Sequence, residues 1–216
     1  MDAPFWHERW EQQQIGFHLP SANPLLTQHF SALSEHLPAD GRIFLPLCGK
    51  TRDIAWLLAQ GYTVAGAELS TIAIDELFAE LGQTPTITQQ GKLKHYHGER
   101  IDIFCGDIFD LSPEVLGNVD GVYDRAALVA LPSAMRARYT AHLQHLTRHA
   151  PQLLICFRYD QSALEGPPFA LHDSEVEAHY QNNYQLEALD LVDVPGGLRG
   201  QVPATERVWL LKPKLE

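Results

Sequence analysis

The sequence predicts an α/β fold built on a mostly parallel sheet. Short apolar runs of strand type alternate with segments of helical period, as parallel strands joined by crossover helices require. The last two strand-like runs, residues 184–194 and 206–211, are instead joined by a short glycine-rich linker at residues 195–200. We expect these two to pair antiparallel, because a parallel pair needs a crossover of a dozen or more residues.

Five strands are predicted before that hairpin, at residues 43–47, 63–67, 101–105, 119–123 and 152–157. After the first strand, Ile54 and Leu57 recur at helical spacing and Gly61 closes the helix. Ser70 is an N-cap candidate for the next helix, which ends at Gly82.

Three further segments complete the predicted order. Tyr139, Leu143 and Leu146 mark the inward stripe of a helix before the fifth strand. Residues 174–177, Ser-Glu-Val-Glu, match a capping box that opens the last helix. Residues 84–98 are predicted as an insertion with short strands of its own.

Composition excludes several classes of protein. The 216 residues are 45% hydrophobic and 20% charged, as in an ordinary globular protein, and one domain is expected over residues 1–216. The net charge of −11, with basic residues scattered singly, disfavours nucleic acid as a partner. No apolar stretch suggests a membrane span and no secretory signal is visible, so we expect a cytoplasmic protein, with a monomer as the default.

The cysteines and histidines do not predict a metal centre. Cys48, Cys105 and Cys156 each lie in or beside an apolar run, which favours reduced, buried thiols over a functional role. His95 and His97 fall on an alternating, strand-like run, without the spacing of a common zinc motif. Solvated or locally bonded histidines are therefore expected, with no metal.

The turn after the first strand and the acid after the second predict an adenosine site. Glu68 stands roughly 20 residues beyond that turn, where an acid grips ribose hydroxyls in open α/β folds. Pro46, Cys48 and Lys50 occupy positions that a dinucleotide turn gives to glycine, and Phe44 stands where a P-loop needs one. An adenosine site without a phosphate cradle suits S-adenosylmethionine.

Several blocks of sequence, in order and spacing, resemble the thiopurine S-methyltransferase family, especially its bacterial members. They are residues 6–10 and 15–18, Leu-Pro-Leu-Cys-Gly-Lys at 45–50, Gly-Ala-Glu-Leu-Ser at 66–70, Cys-Gly-Asp-Ile-Phe-Asp at 105–110, Tyr-Asp-Arg-Ala-Ala-Leu-Val-Ala at 123–130 and Gly-Pro-Pro-Phe at 166–169. The resemblance covers nearly the whole chain. It implies the class I methyltransferase fold, a Rossmann-like, mostly parallel seven-stranded sheet with a C-terminal antiparallel hairpin; residues 1–40 would form a helical lid on a core of residues 41–216.

Cofactor contacts are expected where strands end, because ligands of open α/β sheets bind beyond their carboxyl ends. The candidates are Leu45, Glu68, Asp107, Ile108 and Arg125. Each acid has an alternative: Glu68 as a cap for the helix near Ser70, and Asp107 as a turn residue. Arg125 suits a methionine carboxylate or a substrate anion, the alternative being a local pairing with its neighbour Asp124. Trp10 matches a cofactor contact of the family, or simply covers the sheet.

The acceptor candidates are Phe17, His18, Arg158 and Arg199. Phe17 matches an aromatic residue that lines the acceptor site in the family. Arg158 precedes the rigid turn at residues 166–169, where ordinary loop packing is an equal alternative, and Arg199 is either a substrate clamp or a solvated loop residue.

The expected chemistry is an in-line methyl transfer driven by proximity, for which no general base is required. Arg125 and Asp160 are the catalytic candidates, with His18 or Asp160 as a hypothetical proton acceptor. The expected substrate is a small thiol such as a thiopurine, or a selenol or metalloid compound, as bacterial relatives are associated with selenium and tellurium methylation. The alternatives are a sensor that binds S-adenosylmethionine without catalysis and a nicotinamide-dependent dehydrogenase, which the missing pyrophosphate turn disfavours.

Overall fold

A computed structural model describes residues 3–214, and the chain divides between Gly121 and Val122 into two compact units. The elements of the first unit are, in order, α1 (Ala3–Glu11), α2 (Pro24–Ser34), β1 (Arg42–Leu45), α3 (Arg52–Ala59), β2 (Thr63–Glu68), α4 (Thr71–Glu80), β3 (Thr86–Gln90), β4 (Leu93–Gly98), β5 (Ile101–Cys105) and α5 (Pro113–Leu116). The second unit carries β6 (Gly121–Arg125), α6 (Ser133–Leu146), β7 (Gln152–Tyr159), α7 (Asp173–Tyr180), β8 (Tyr184–Asp193) and β9 (Ala204–Pro213).

The strands of the first unit follow the order β3-β4-β5-β2-β1. β1, β2 and β5 run parallel, whereas β3 and β4 form a hairpin that pairs antiparallel with β5. The hairpin confirms that residues 84–98 carry short strands of their own. Both faces of the parallel strands are buried, as crossover helices require: Ile43, Val64 and Ile103 lie on one face, and Phe44, Ala65 and Phe104 lie on the other.

In the second unit the strand order is β6-β7-β9-β8. β6 and β7 are parallel, and β9 pairs antiparallel with both β7 and β8, which confirms the predicted C-terminal hairpin. A bulge between Ala188 and Asp190 interrupts the register of β8. Residues 3–214 therefore contain nine strands, the seven predicted ones and the two of the inserted hairpin.

Several predicted strand boundaries were wrong by about two residues, among them the end of β1 and the start of β6. β1 ends at Leu45 because Leu47 takes a positive φ of 47° and Cys48 turns back to donate its N–H to Ala67 O at 2.9 Å. β6 begins at Gly121, since Asp120 is held outside it: its N–H bonds to Arg42 O, and its carboxylate accepts from Arg42 N–H, both at 2.7 Å.

The predicted capping box at residues 174–177 was also wrong. The N-cap of α7 is His172, two residues before Ser174, and no side chain caps the helix. The acids of its first turn are held by tertiary contacts: Asp173 pairs with Arg207 at 3.1 Å, and Glu175 with Arg136 at 2.6 Å. These ion pairs fix the start of the helix where local sequence favoured a different residue.

The helix caps elsewhere agree with the sequence. Ser70 Oγ accepts from Ala73 N–H at 3.3 Å and caps α4, as predicted. Asn23 caps α2 through Leu25 N–H at 2.8 Å, and its own N–H donates to Asp53 Oδ1 at 2.6 Å. Cys48, Cys105 and Cys156 are free, buried thiols, as expected. Among residues 3–214, no helix has the length and apolar character needed to cross a bilayer.

Gly66 in β2 tests how tightly the first unit is packed. A Cβ atom at this position would lie 2.8 Å from both Cys48 Sγ and Ile103 Cδ1. We expect Gly66→Ala to lower the free energy of unfolding by about 1–3 kcal/mol, because overpacking forces neighbours out of position. Gly16→Ala is the control, since nothing lies within 4 Å of its Cβ position. Equal denaturation midpoints in urea for the two variants would contradict this packing account.

Candidate functional site

The carboxyl ends of β1, β2 and β5 meet at one edge of the first unit's sheet. The register pairs Leu45 with Gly66 and Glu68 with Cys105, so the three strands end at neighbouring positions. The predicted cofactor residues Leu45 and Glu68 lie at this edge, and Asp107 and Ile108 follow directly after β5. The structure thus brings together four residues that the sequence analysis selected separately.

Glu68 is the centre of this edge. Its side chain is buried, with 6% exposure, and its carboxylate accepts two backbone hydrogen bonds: Oε2 from Gly49 N–H at 2.7 Å and Oε1 from Ser70 N–H at 2.8 Å. Burial raises the pKa of Glu68, and the backbone amides, Ser70 first, partly offset that rise. One carboxylate therefore joins the turn after β1 to the turn after β2.

The remaining acceptor capacity of Glu68 fits a ribose. An ionised carboxylate has about four lone-pair positions, and the backbone amides of Gly49, Ser70 and Leu69 leave part of that capacity open. Glu68 also takes up the alternative role of a cap near the start of α4, because Ser70 N–H donates to the same carboxylate. Ser70 Oγ nevertheless supplies the side-chain cap of α4, as the sequence analysis anticipated. The open acceptor capacity of the carboxylate is suited to hydroxyl donors.

The turn after β1 approaches Trp10 closely. Gly49 has a φ of +53°, and a Cβ there would lie 3.1 Å from a carbon of the Trp10 ring. Trp10 is 2% exposed, so its ring is buried against this turn. A side chain at position 49 would displace the ring and strain the backbone. The turn has no glycine-rich cradle for phosphate, in agreement with the sequence.

An aromatic cluster extends from Trp10 along the N-terminal segment. Phe17 packs edge-to-face against both Trp10 and Trp6, with ring centroids 5.7 and 6.0 Å apart. Phe17 and His18 are half-buried, and His18 N–H closes a turn on Ile15 O at 2.8 Å. Trp6 and Trp10, four residues apart on α1, thus share one face of that helix. The rings offer π faces of the kind that attract a cation.

Asp107 is exposed and caps a short turn. Its side chain accepts from Phe109 N–H at 2.9 Å, which fixes residues 108–110 as one 3₁₀ turn. Gly106 N–H donates to Glu68 O at 2.9 Å, so this segment is tied to β2 through the backbone. Asp107 is therefore a turn residue, the alternative that the sequence left open. Its carboxylate keeps further capacity to accept hydrogen bonds.

In the second unit, Arg125 and Asp124 are the last two residues of β6 and have different environments. Asp124 is fully buried: its Oδ2 accepts from Tyr139 O–H at 2.7 Å, and its Oδ1 accepts from Leu128 N–H at 3.1 Å. Arg125 is half-buried, and its charge partly offsets the rise that burial causes in the pKa of Glu206. The carboxylate of Asp124 is therefore bound by Tyr139 and Leu128, in place of the local pairing with Arg125 that the sequence left open.

Sequence reasoning missed the Asp124–Tyr139 pair. Tyr139 was assigned only to the apolar stripe of its helix, and its hydroxyl carries no periodic signal. The fully buried ring of Tyr139 places that hydroxyl on Asp124. Burial raises the pKa of Asp124 to about 6, although the hydrogen bonds from Tyr139 and the backbone oppose the rise.

Arg158 contributes to an open cleft of about 550 Å³ in the second unit. The other lining residues belong to the end of β8, the glycine-rich linker and the start of β9: Asp193, Val194, Gly196, Gly197, Gly200, Gln201, Val202, Pro203, Ala204 and Thr205. Arg158 forms an ion pair with Asp173 at 3.4 Å, and Arg207 forms a second ion pair with the same carboxylate. Arg199, also in the linker, donates a hydrogen bond to Pro167 O. That bond ties the linker to the rigid turn at residues 166–169.

Asp160 is a weak candidate for a base. Its carboxylate caps residues 161–163 by accepting from Ser162 N–H at 3.0 Å and Ser162 Oγ at 2.7 Å. These hydrogen bonds lower the pKa of Asp160, and a carboxylate of lower pKa accepts a proton less readily.

Comparison with known proteins identifies a family. The family model described as Thiopurine S-methyltransferase (TPMT) matches residues 1–212. Proteins named thiopurine S-methyltransferase from Xanthobacter autotrophicus and Gluconobacter oxydans are 55% and 49% identical to this chain. The alignments span 98% of this chain in both cases, and 99% and 96% of the respective relatives.

Solved structures agree on the fold. A methyltransferase from Burkholderia thailandensis, with bound 1,6-didemethyltoxoflavin and S-adenosylhomocysteine, has a TM-score of 0.63 at 15% identity, covering 97% of this chain and 87% of the other. A SAM-dependent methyltransferase from Anabaena variabilis has a TM-score of 0.64 at 14% identity, covering 98% and 95%. These similarities confirm the predicted class I methyltransferase fold.

The buried Asp124 predicts a specific pH dependence of stability. Its pKa of about 6 in the folded protein exceeds the ordinary value of 3.8, so the folded state binds this proton up to a higher pH than the unfolded chain does. Ionisation of this group therefore lowers the free energy of unfolding as the pH rises from about 4 to about 6, by about 3 kcal/mol.

We expect Asp124→Asn to remove that decline, because the amide does not ionise. Urea denaturation between pH 4 and pH 7 measures the free energy of unfolding of wild type and variant. We expect the variant to become more stable relative to wild type as the pH rises. Tyr139→Phe is the control: it retains the carboxylate and so keeps the decline. Parallel pH curves for wild type and Asp124→Asn would show that this carboxyl group does not titrate in the expected range.

Proposed function

The chain belongs to the thiopurine S-methyltransferase family, and we propose that it transfers the methyl group of S-adenosylmethionine to the sulfur of thiopurines and of other aromatic or heterocyclic thiols. It is a methyltransferase, and its cofactor is S-adenosylmethionine. Two relatives that carry the family name align with this chain over nearly their whole length. That similarity supports a thiopurine as acceptor.

The observation that carries the proposal within the molecule is the carboxylate of Glu68. It is buried at the carboxyl end of β2, fixed by Gly49 N–H and Ser70 N–H, and retains acceptor capacity for the two ribose hydroxyls. We assign the other cofactor contacts to Trp10, Leu45, Asp107 and Ile108 of the first unit and to Arg125 of the second. In this assignment the Trp10 ring faces the sulfonium, and the Arg125 guanidinium binds the methionine carboxylate.

When bound, S-adenosylmethionine supplies the electrophilic methyl group of an in-line displacement. The chain's own residues then need to orient the two reactants and exclude water, which is worth on the order of 7–11 kcal/mol for a well-aligned pair. An aromatic thiol that is partly ionised near neutral pH brings its own nucleophile. The low pKa of Asp160 is consistent with a reaction that needs no protein base. Arg125 is then the remaining catalytic candidate, as an electrostatic contact.

We propose acceptor contacts for Phe17 and His18 in the first unit and for Arg158 and Arg199 in the second. Phe17 offers an aromatic face, which suits a planar heterocycle. Arg158 lines the open cleft, and Arg199 is held beside the turn at residues 166–169 by its bond to Pro167 O. Guanidinium groups here suit an acceptor that carries negative charge.

Selenium and tellurium compounds are proposed as further acceptors, with metalloid detoxification as the physiological setting. We also propose that the whole chain acts as one cytoplasmic, monomeric methyltransferase domain, in which residues 1–40 form a lid. The helices α1 and α2 both lie within residues 1–40, which supports only the helical character of the proposed lid.

Glu68→Gln is expected to weaken S-adenosylmethionine binding about 10- to 100-fold, because hydrogen bonds to a charged acceptor are worth about 1.5–3 kcal/mol. Isothermal titration calorimetry measures the change. Ser70→Ala is the matched control: it removes the α4 cap at the same turn, costs about 1 kcal/mol of stability and leaves the carboxylate in place. Equal affinity in the two variants would reduce Glu68 to a structural role.

The reaction itself is tested with 6-mercaptopurine, S-adenosylmethionine and purified enzyme. We expect S-methyl product and S-adenosylhomocysteine in equal amounts, and no binding of NAD by calorimetry. Selenite and tellurite, each with a thiol reductant, are assayed in parallel for methylated volatile products. Cofactor binding without methyl transfer to any thiol, selenol or metalloid would overturn the proposed acceptors.

A further inference from the structure

The inserted hairpin places three potential metal ligands on one face of the first unit's sheet. His95 and His97 are two residues apart on β4, so their side chains lie on the same face. Asp102 on β5 is the direct cross-strand partner of His97. The strand pairing therefore fixes the relative positions of the three groups through the backbone.

The distances among these groups are short. His95 Nε2 and His97 Nδ1 lie 2.7 and 2.8 Å from the same oxygen, Asp102 Oδ1, and the three atoms all lie within 4.8 Å of one another. Ligands of a tetrahedral ion with bonds of about 2.0–2.1 Å are separated by about 3.3 Å. Outward shifts of about half an ångström would thus accommodate an ion.

We propose that His95, His97 and Asp102 form a binding site for a divalent transition-metal ion of the zinc type. Two imidazoles and one carboxylate are a nitrogen and oxygen donor set that suits Zn²⁺, whereas Ca²⁺ and Mg²⁺ prefer oxygen ligands alone. The site gives the inserted hairpin a role that the sequence analysis, which expected no metal, did not assign.

The surroundings hold two of the ligands in place. The His95 ring stacks on Phe104, with centroids 4.7 Å apart and planes at 14°. Arg42 Nη2 binds the other carboxylate oxygen, Asp102 Oδ2, at 2.9 Å and leaves Oδ1 facing the histidines. Such partners orient metal ligands, although the charge of Arg42 also opposes a cation and moderates the affinity.

Access and proton balance are compatible with binding. The His97 side chain is 62% exposed and that of His95 21% exposed, so an ion reaches the site from solvent. A neutral imidazole coordinates through one ring nitrogen and keeps its proton on the other. Coordination through His95 Nε2 and His97 Nδ1 therefore requires a shift of tautomer and no net loss of protons from neutral rings.

The site is expected to be structural. Asp102 lies near the amino end of β5, whereas Glu68 lies at the carboxyl end of β2. A bound ion would join β4 to β5 and stabilise the hairpin, since a ligand that binds only the folded state raises its stability. Methyl transfer is expected to proceed equally with and without the ion.

The test uses the full chain without an added histidine tag, stripped of metal with a chelator and titrated with ZnCl₂ by calorimetry. We expect one Zn²⁺ per chain, and a dissociation constant raised at least about 10-fold in His97→Ala and in His95→Gln. His36→Ala removes an exposed histidine and is the matched control, expected to bind as wild type does. Visible absorption of bound Co²⁺ would report tetrahedral geometry in wild type and its loss in His97→Ala.

Two results would overturn the proposal. One is the absence of saturable binding at one ion per chain. The other is equal binding by His97→Ala, His95→Gln and His36→Ala. In either case the histidines and Asp102 form a hydrogen-bonded cluster only.

Discussion

The carboxylate of Glu68 is the constraint on which the cofactor edge of the first unit depends. A buried carboxylate is costly unless it is hydrogen-bonded, and here the partners are backbone amides of two separate turns. The same two bonds that keep Glu68 ionisable also fix the turn after β1, against which Trp10 is packed. Neither turn has a glycine-rich phosphate cradle, which disfavours a pyrophosphate at this edge and is compatible with the proposed binding of ribose hydroxyls and a sulfonium.

The second unit uses a buried carboxylate differently. Asp124 is bound by Tyr139 and by a backbone amide, and burial still moves its pKa to about 6. Its neighbour Arg125 remains half-buried with its charge near Glu206, which leaves a cation at the end of β6. Adjacent residues of one strand thus have different environments, a fully buried acid and a half-buried cation, because successive side chains of a strand point to opposite faces.

Charged contacts also decide how the later segments are arranged. Asp173 forms ion pairs with both Arg158 and Arg207. Glu175 pairs with the buried Arg136. The start of α7 is therefore set by arginines from distant positions in the chain. Arg199 and the turn at residues 166–169 are joined in the same manner, through Pro167 O. In the first unit, Asp102 on β5 contacts His95 and His97 from β4 and Arg42 from β1.

The sequence by itself determined the α/β class, seven of the nine strands within residues 3–214 and the cap at Ser70, and it also predicted which residues at the strand ends contact the cofactor. These features are local: apolar periodicity, glycine positions and the spacing between a strand and the acid after the next one. Only the tertiary structure decided the start of α7, the Asp124–Tyr139 pair and the cluster on Asp102. In each case the deciding contact joins side chains of different helices or strands, and such contacts leave no periodic signal in either segment alone.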